Sequence, residues 1–330
     1  MPANLTPQYK EAEDRFRAAV SHEDKLAALR EMMQLLPKHK GTEKIQADIR
    51  RRIAKLEDEA EHGAKGGTKR ADPGHVKREG AGQWALLGPP NAGKSALLRA
   101  LTHAHPEVAP YPFTTHVPQP GMMPFEDVQV QLVDTPAVAA HRTEPYMANV
   151  AHNADGVLLV FDPTDDGLAE AVEACAAVLE KARVWPLTRP LPADVSPLIV
   201  QRPVYTLLNK ADLDDDGTFL EMARESLPAD IPVFRVSAER GSGLEDLRAL
   251  LFRDLHMIRV YAKEPGRKPD MERPFVLPQG ATVHELALHV HKDVAGRMKY
   301  ARIWGHARFD GQQVDRHHVL VDRDVVELHS

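Results

Sequence analysis

A short apolar run, Trp84–Leu87, leads without a break into Gly88-Pro-Pro-Asn-Ala-Gly-Lys-Ser95. This eight-residue string constrains the chain more than any other part of it. It fits G-x4-G-K-[S/T], a loop that joins a strand to a helix and wraps a phosphate chain. Glycine lets the backbone turn its N–H groups inward. The helix expected from Gly93 onward adds its positive end. Lys94 is placed to reach the β and γ phosphates, and Ser95 to offer a hydroxyl to Mg2+, a hard cation that takes oxygen ligands. Gly88, Pro89, Pro90, Asn91, Ala92, Gly93, Lys94, Ser95 and Ala96 are the expected cradle. A plain glycine turn is the competing reading, and the downstream sequence weighs against it.

Downstream of Gln83, apolar runs alternate with helical stretches. The runs are Trp84–Leu87, Val128–Val133, Gly156–Phe161, Val204–Leu208 and Val233–Val236, with helices expected at about 93–103, 166–184, 218–226 and 243–254. Runs buried on both sides and separated by helices predict an α/β, doubly wound, mostly parallel sheet. The five-proline stretch Trp185 to Pro203 reads as a surface excursion. Three polar clusters each follow one of these strands. Asp134-Thr135-Pro136-Ala137 puts an acid where a phosphate-loop enzyme holds Mg2+ through water. Asn209-Lys210-Ala211-Asp212 puts a carboxylate where it can accept from both the N1–H and the exocyclic amine of guanine. Adenine has no such donor pair and would leave that carboxylate unpaired. Ser237-Ala238 offers a backbone N–H to the guanine oxygen. GTP and GDP are the expected ligands.

The flanks differ in texture. Residues 6–36 and 41–62 read as two amphipathic helices, the first ended by Pro37. The stretch from His62 to Gly82 holds six glycines and reads as a linker or as a loop laid over a partner surface. After His256 come strands expected at Ile258–Tyr261, Phe275–Leu277, Val319–Val321 and Val325–Leu328, around a helix Val283–Val294 capped by Thr282. The expected organisation is a helical hairpin over 1–62, a linker over 63–82, a nucleotide domain over 83–255 and a small α+β domain over 256–330. Of the 330 residues, 43% are hydrophobic and 27% charged, which excludes a wholly disordered chain. No apolar run reaches the roughly 18–20 residues of a membrane span. A single cysteine, Cys175, excludes a disulfide scaffold and is expected in the core. The net charge of −6 is uneven: residues 81–255 carry −11, whereas the N- and C-terminal flanks carry +3 and +2.

Gly88–Ser95, Asp134–Ala137, Asn209–Asp212 and Ser237–Ala238 resemble four of the five motifs of translation-factor-class GTPases. Tyr111-Pro-Phe-Thr-Thr115, beside the Pro-Asn-Ala-Gly-Lys-Ser form of the loop, resembles the Obg/DRG group. Ile258-Arg-Val-Tyr261, Gly280-Ala-Thr-Val-His284, Tyr300-Ala301, Trp304-Gly305 and Asp322–Val326 are similar to the TGS domain, a ubiquitin-like β-grasp fold. This resemblance implies a P-loop GTPase domain with a C-terminal TGS domain. It implies a Mg2+-dependent molecular switch that hydrolyses GTP slowly by itself. Lys94, Thr115 and Asn91 are its catalytic candidates. Mg2+ ligands would be Ser95, Thr115 (or Thr114) and, through water, Asp134. Ribosome or RNA is the implied partner, the cytoplasm the implied location, and neither DNA nor membrane is expected; the resemblance sets no oligomeric state.

The chain departs from that group in places. Ala137 stands where the group has glycine, so the hinge that this glycine gives the second switch is not expected at 137. Val138 stands where many GTPases orient water with glutamine, but here the group itself carries an apolar residue, so this is no departure from it. Asn91 either shapes the loop or binds K+, as in related GTPases. The 75 positions between Asp134 and Asn209 leave little room for the group's inserted small domain. His116 reads as an exposed neighbour of Thr115, His317-His318 as a polar turn, and Asp214-Asp215-Asp216 as a solvated helix start. Arg50-Arg51-Arg52 and Lys38-His-Lys40 read as RNA contacts or as solvated faces. The alternatives to the GTPase reading are a GTP-sensing module with negligible hydrolysis and an ATPase.

Overall fold

The computed structural model describes residues 8–9, 12, 15–16, 22–36, 46, 48–53, 75–102, 117–139, 143–191, 198–214 and 216–329. The chain divides into two compact units, Met1–Ala71 and Asp72–Ser330. In the first, helix α1 (His22–Leu35) and further helical residues surround a small core of Tyr9, Ala12, Leu29, Met32, Leu36 and Ile49. Leu29, Met32 and Leu36 share a face because they recur at helical spacing. Residues 63–74 of the expected linker lie outside the described residues, as do Lys38–Lys40.

The second unit begins with a six-stranded sheet. Its elements are β1 (Gln83–Leu87), α2 (Lys94–Leu101), β2 (Gln119–Phe125), β3 (Val128–Asp134), α3 (Met147–Asn153), β4 (Gly156–Phe161) and α4 (Leu168–Lys181). They continue with β5 (Val184–Pro186), β6 (Val200–Arg202), β7 (Val204–Leu208), α5 (Thr218–Ser226), β8 (Val233–Arg235) and α6 (Leu244–Arg253). The sheet order is β2-β3-β1-β4-β7-β8, parallel throughout except for the β2–β3 hairpin. β1, β4 and β7 are buried along their whole length because both faces are covered. Alternation assigns the faces. Trp84, Leu86, Leu158, Val160 and Leu207 pack with Leu97, Leu98 and Leu101 of α2 and Leu247 and Leu251 of α6. Leu87, Val157, Leu159, Phe161 and Leu208 pack with α3, α4 and α5, and Cys175 lies in this second core.

Several details differ from the sequence expectations. β2 is a strand despite the sequence Gln-Pro-Gly-Met-Met-Pro-Phe. It lies at the sheet edge, where a missing N–H removes no ladder bond. Residues 185–203 are not only excursion: β5 and β6 pair in parallel as a separate ribbon. Gly80–Gly82, assigned to the linker, run along β3; Ala81 N–H donates to Gln129 O at 2.7 Å and Gln131 N–H to Gly82 O at 2.9 Å. Between Asp134 and Asn209 the described residues hold α3, β4, α4, β5, β6 and β7 and no inserted domain.

The C-terminal part forms a five-stranded sheet from β9 (Met257–Lys263), β10 (Phe275–Pro278), β11 (Tyr300–Trp304), β12 (Gln312–Val314) and β13 (Asp324–His329). Its order, β10-β9-β13-β11-β12, with β9 and β13 parallel at the centre, is a β-grasp arrangement. Helix α7 (Val283–Val290) supplies Val283, Leu286 and Ala287 to its core. Thr282 caps α7 as expected, in a reciprocal capping box with Glu285. The expected helix to Val294 is broken at His291, whose extended backbone ends α7 and whose ring caps α8 (Lys292–Arg297). Val319–Val321 is not a strand. Val319 makes one bridge to Thr282, and Val321 N–H turns to the Asp324 carboxylate instead.

Arg259, with Tyr261 and Arg323 beside it, fastens this sheet to the larger one. Arg259 on β9 donates to Glu126 and, at 2.9 Å, to Asp127, both in the β2–β3 turn. It also grips Asp322 at 2.6 and 3.1 Å. Its guanidinium lies 5.1 Å from the Phe252 ring centroid, and Phe252 stacks on Phe125. Tyr261 donates to Asp127, and Arg323 to Glu126 at 2.5 Å.

Candidate nucleotide site

Because β1, β3, β4, β7 and β8 are parallel, their C-terminal ends open onto one edge of the sheet, where open α/β sheets bind ligands. The loop after β1 is built by backbone constraint. Gly93 has φ of 88°, and a Cβ there would stand 2.1 Å from Asn209 Nδ2. A Cβ at Gly88 would stand 2.2 Å from Val160 O. Only glycine permits both approaches. Asn91 adopts φ of 61°, a region that asparagine tolerates better than most residues.

Lys94 is buried. Its Nζ donates to Gly88 O at 2.8 Å and Pro89 O at 2.9 Å. Burial lowers its pKa, with nearby Asp134 opposing. Ser95 Oγ donates to Asp134 Oδ2. Asp134 is 1% exposed, and its Oδ1 is buried with no hydrogen-bond partner among the described residues. Burial pushes its carboxyl upward, against the Ser95 bond and the Lys94 charge. A hydroxyl beside a carboxylate with one orphaned oxygen is a donor set that fits Mg2+. Thr114, Thr115 and His116 lie outside the described residues. Thr135 is not at the site; its Oγ1 donates to Leu86 O at 2.6 Å. Ala137 is half-buried. The Val138 side chain lies in the core with Leu87 and Met147, and its N–H donates to Gly88 O at 2.9 Å.

At the other end of the site Asn209 ties three segments together. Its N–H donates to Phe161 O at 2.9 Å, its Nδ2 to Ala92 O at 3.0 Å, and its Oδ1 accepts from Ala238 N–H at 3.1 Å. Ser237 Oγ donates to Asp212 and accepts from Arg240 N–H at 3.0 Å. The Ser237 bond holds the Asp212 carboxyl below its ordinary range. Ser237 N–H is taken by Ser242 O at 3.0 Å. Neither N–H of the pair points freely outward, so Ala238 can reach a guanine oxygen only by sharing its bond to Asn209. Lys210 has φ of 60° and pairs with Asp162 at 2.6 Å. The sequence reading missed Asp162. It directly follows the buried strand β4, but the partner that gives it a role, Lys210, is 48 positions away.

The comparisons agree with this geometry. The model described as 50S ribosome-binding GTPase matches residues 83–189, and the model described as TGS domain matches residues 258–330. A GTP-binding protein of Methanocaldococcus jannaschii is 25% identical, covering 93% of this chain and 92% of its own. Developmentally-regulated G-protein 1 of Arabidopsis thaliana is 29% identical, covering 88% of this chain and 87% of its own. Among solved structures, Era in complex with part of 16S ribosomal RNA matches at a TM-score of 0.40 and 19% identity, covering 67% of this chain and 70% of that one.

Proposed function

We propose that this chain, an Obg/DRG-like GTP-binding protein in which a P-loop GTPase domain is followed by a TGS domain, hydrolyses GTP to GDP and phosphate as a slow molecular switch. The observation that carries the reading is the cluster of Lys94, Ser95 and Asp134, with an orphaned carboxylate oxygen, at the mouth of the loop that Asn209 joins to the base-binding segment. Lys94 would exchange two carbonyl oxygens for phosphate oxygens and keep its charge on the transferring group. Ser95, Thr115 (or Thr114) and, through water, Asp134 would hold Mg2+, which supplies charge neutralisation on the phosphate oxygens. Backbone N–H groups of Gly88–Ser95 would line the phosphates. Asp212 would select guanine, with Asn209 holding its loop against the cradle. Asn91 is the proposed contact for K+.

In this reading the helical hairpin ends at 62 and the nucleotide domain at 255, with Gly80–Gly82 belonging to the nucleotide domain rather than to the linker. The mildly basic flanks dock the protein on ribosome or RNA in the cytoplasm, and the acidic middle binds nucleotide. The description of the matched family model, a ribosome-binding GTPase, supports that partner. A second reading, a GTP sensor with negligible hydrolysis, is favoured by Val138. Its side chain is committed to the core, so it orients no water at the position where many GTPases use glutamine. Single-turnover hydrolysis with and without ribosomes separates the two. Turnover that ribosomes accelerate supports the switch. Tight GTP binding with no phosphate release in either condition replaces it with the sensor. Co-sedimentation with ribosomes in GTP-analogue and GDP states, across a salt series, measures the electrostatic part of docking.

A further inference from the structure

We propose that Asp162 is a positioning residue of the guanine subsite, acting through Lys210. This rests on the reading of Asn209–Asp212 as the base-binding segment. Asp162 follows β4 directly and is 9% exposed. Both of its oxygens are engaged: Oδ1 accepts from Thr164 N–H at 2.9 Å and Thr164 Oγ1 at 2.7 Å, and Oδ2 accepts from Lys210 Nζ at 2.6 Å. Burial alone would push this carboxyl up, yet Lys210 and Thr164 outweigh it and hold it below its ordinary range. The anchor is therefore charged and fixed in orientation.

The other end of Lys210 is fixed as well. Its backbone is left-handed, φ of 60° and ψ of 33°, an unfavourable region for a side chain with a Cβ. Neighbouring bonds over-determine it: Asn209 N–H to Phe161 O, Ala211 N–H to Val236 O at 3.1 Å and Leu213 N–H to Lys210 O at 2.9 Å. Strain kept by surrounding structure is a mark of functional positioning. A lysine stem held at both its Cα and its ammonium cannot sweep through solvent. Lying between Asn209 and Asp212 in sequence, it would then serve as a fixed apolar wall. A purine is a flat apolar slab with polar edges. Asp212 would read its edge, and the Lys210 methylenes would cover its face. Without Asp162 the ammonium would seek water, and the wall would have to be ordered again at each binding event.

The wall acts on any purine equally, so its signature differs from that of Asp212. The test uses the full-length chain, with fluorescent GDP and inorganic pyrophosphate as probes. Asp162→Asn is expected to speed GDP release about tenfold, weaken inosine diphosphate by the same factor, and leave pyrophosphate binding unchanged. Lys210→Met, which keeps most of the stem and loses the ammonium, should give a similar loss, and the double variant no more than either single one. Additive losses, GDP release within about twofold of the parent protein, or an equal fall in pyrophosphate affinity would overturn the proposal. Failure of the parent protein to bind GDP would instead overturn the reading of the base segment on which it rests. If Asp162→Asn proves unstable, Asp162→Glu keeps the charge; rescue of slow release by that variant supports positioning, and release as fast as in Lys210→Met refutes it.

Discussion

Replacing Arg259 with methionine should loosen the β-grasp sheet from the β2–β3 hairpin. The Arg259 side chain is 5% exposed, while its partners Glu126, Asp127 and Asp322 are 45%, 21% and 36% exposed. Breaking a fully buried ion pair costs about 3–5 kcal/mol, chiefly because the surviving charge is stranded. Here water can reach Glu126 and Asp322 after the change, and only Asp127 stays largely covered. Methionine retains the apolar contact with Phe252. The expected loss is therefore about 2–3 kcal/mol. For a unit of this size that lowers the melting temperature by roughly 5–10 °C, and the β-grasp sheet should melt before the larger one. Calorimetry would show one transition becoming two.

The same contact has a pH signature. Hydrogen bonds from Arg259 and Arg323 hold the Glu126 carboxyl below its ordinary range. Burial would raise Asp127 and Asp322, but bonds to Arg259, joined by Tyr261 at Asp127, outweigh it and lower both. Carboxyls with depressed folded values stabilise the protein fully above their unfolded values near 4. That stability drains as the pH falls through the folded values. The difference between parent and Arg259→Met should thus shrink progressively below about pH 4. A melting temperature within about 1 °C of the parent at neutral pH, or a difference that stays constant into acid, would refute the reasoning.

Three further outcomes are expected. Asp212→Asn should move nucleotide preference from guanine toward xanthine, read by competition between GDP and xanthosine diphosphate; an unchanged preference would remove Asp212 from base selection. Gly93→Ala must accommodate a Cβ against Asn209 Nδ2 at a φ of 88°. It should cost about 1–3 kcal/mol by denaturant titration and abolish tight GDP binding. K+ should accelerate GTP turnover over Na+, and Asn91→Asp or Asn91→Ala should reduce that gain; equal rates in both salts would assign Asn91 to loop shape alone.

Legibility followed burial. β1, β4 and β7 were readable because a strand covered on both faces must be apolar throughout. Helix α5 was readable to its ends because its amphipathic period is undisturbed. β2 was not, because an edge strand is under no such demand and can carry Pro120, Gly121 and Pro124. The break at His291 escaped notice because the apolar pattern continues through Val294 while the backbone does not. In the site, Lys94, Ser95, Asp134, Asn209 and Asp212 announced themselves by spacing. Asp162 did not, since its partner Lys210 lies 48 positions away and meets it only once β4 and β7 lie side by side. Local sequence also cannot show that the Ser237 and Ala238 N–H groups are already committed.

Asn209 has a consequence for how the protein is made. Its side chain closes on Ala92, made 117 positions earlier, and on Ala238, made 29 positions later. At about 5–20 residues per second, roughly 6–23 s separate synthesis of the loop from synthesis of its tie. During that interval Gly88–Ser95 exists without the residue that secures it. The tie that joins the loop to the Asn209–Asp212 segment is therefore among the later contacts of this sheet to form, and it forms only after β7 has been made.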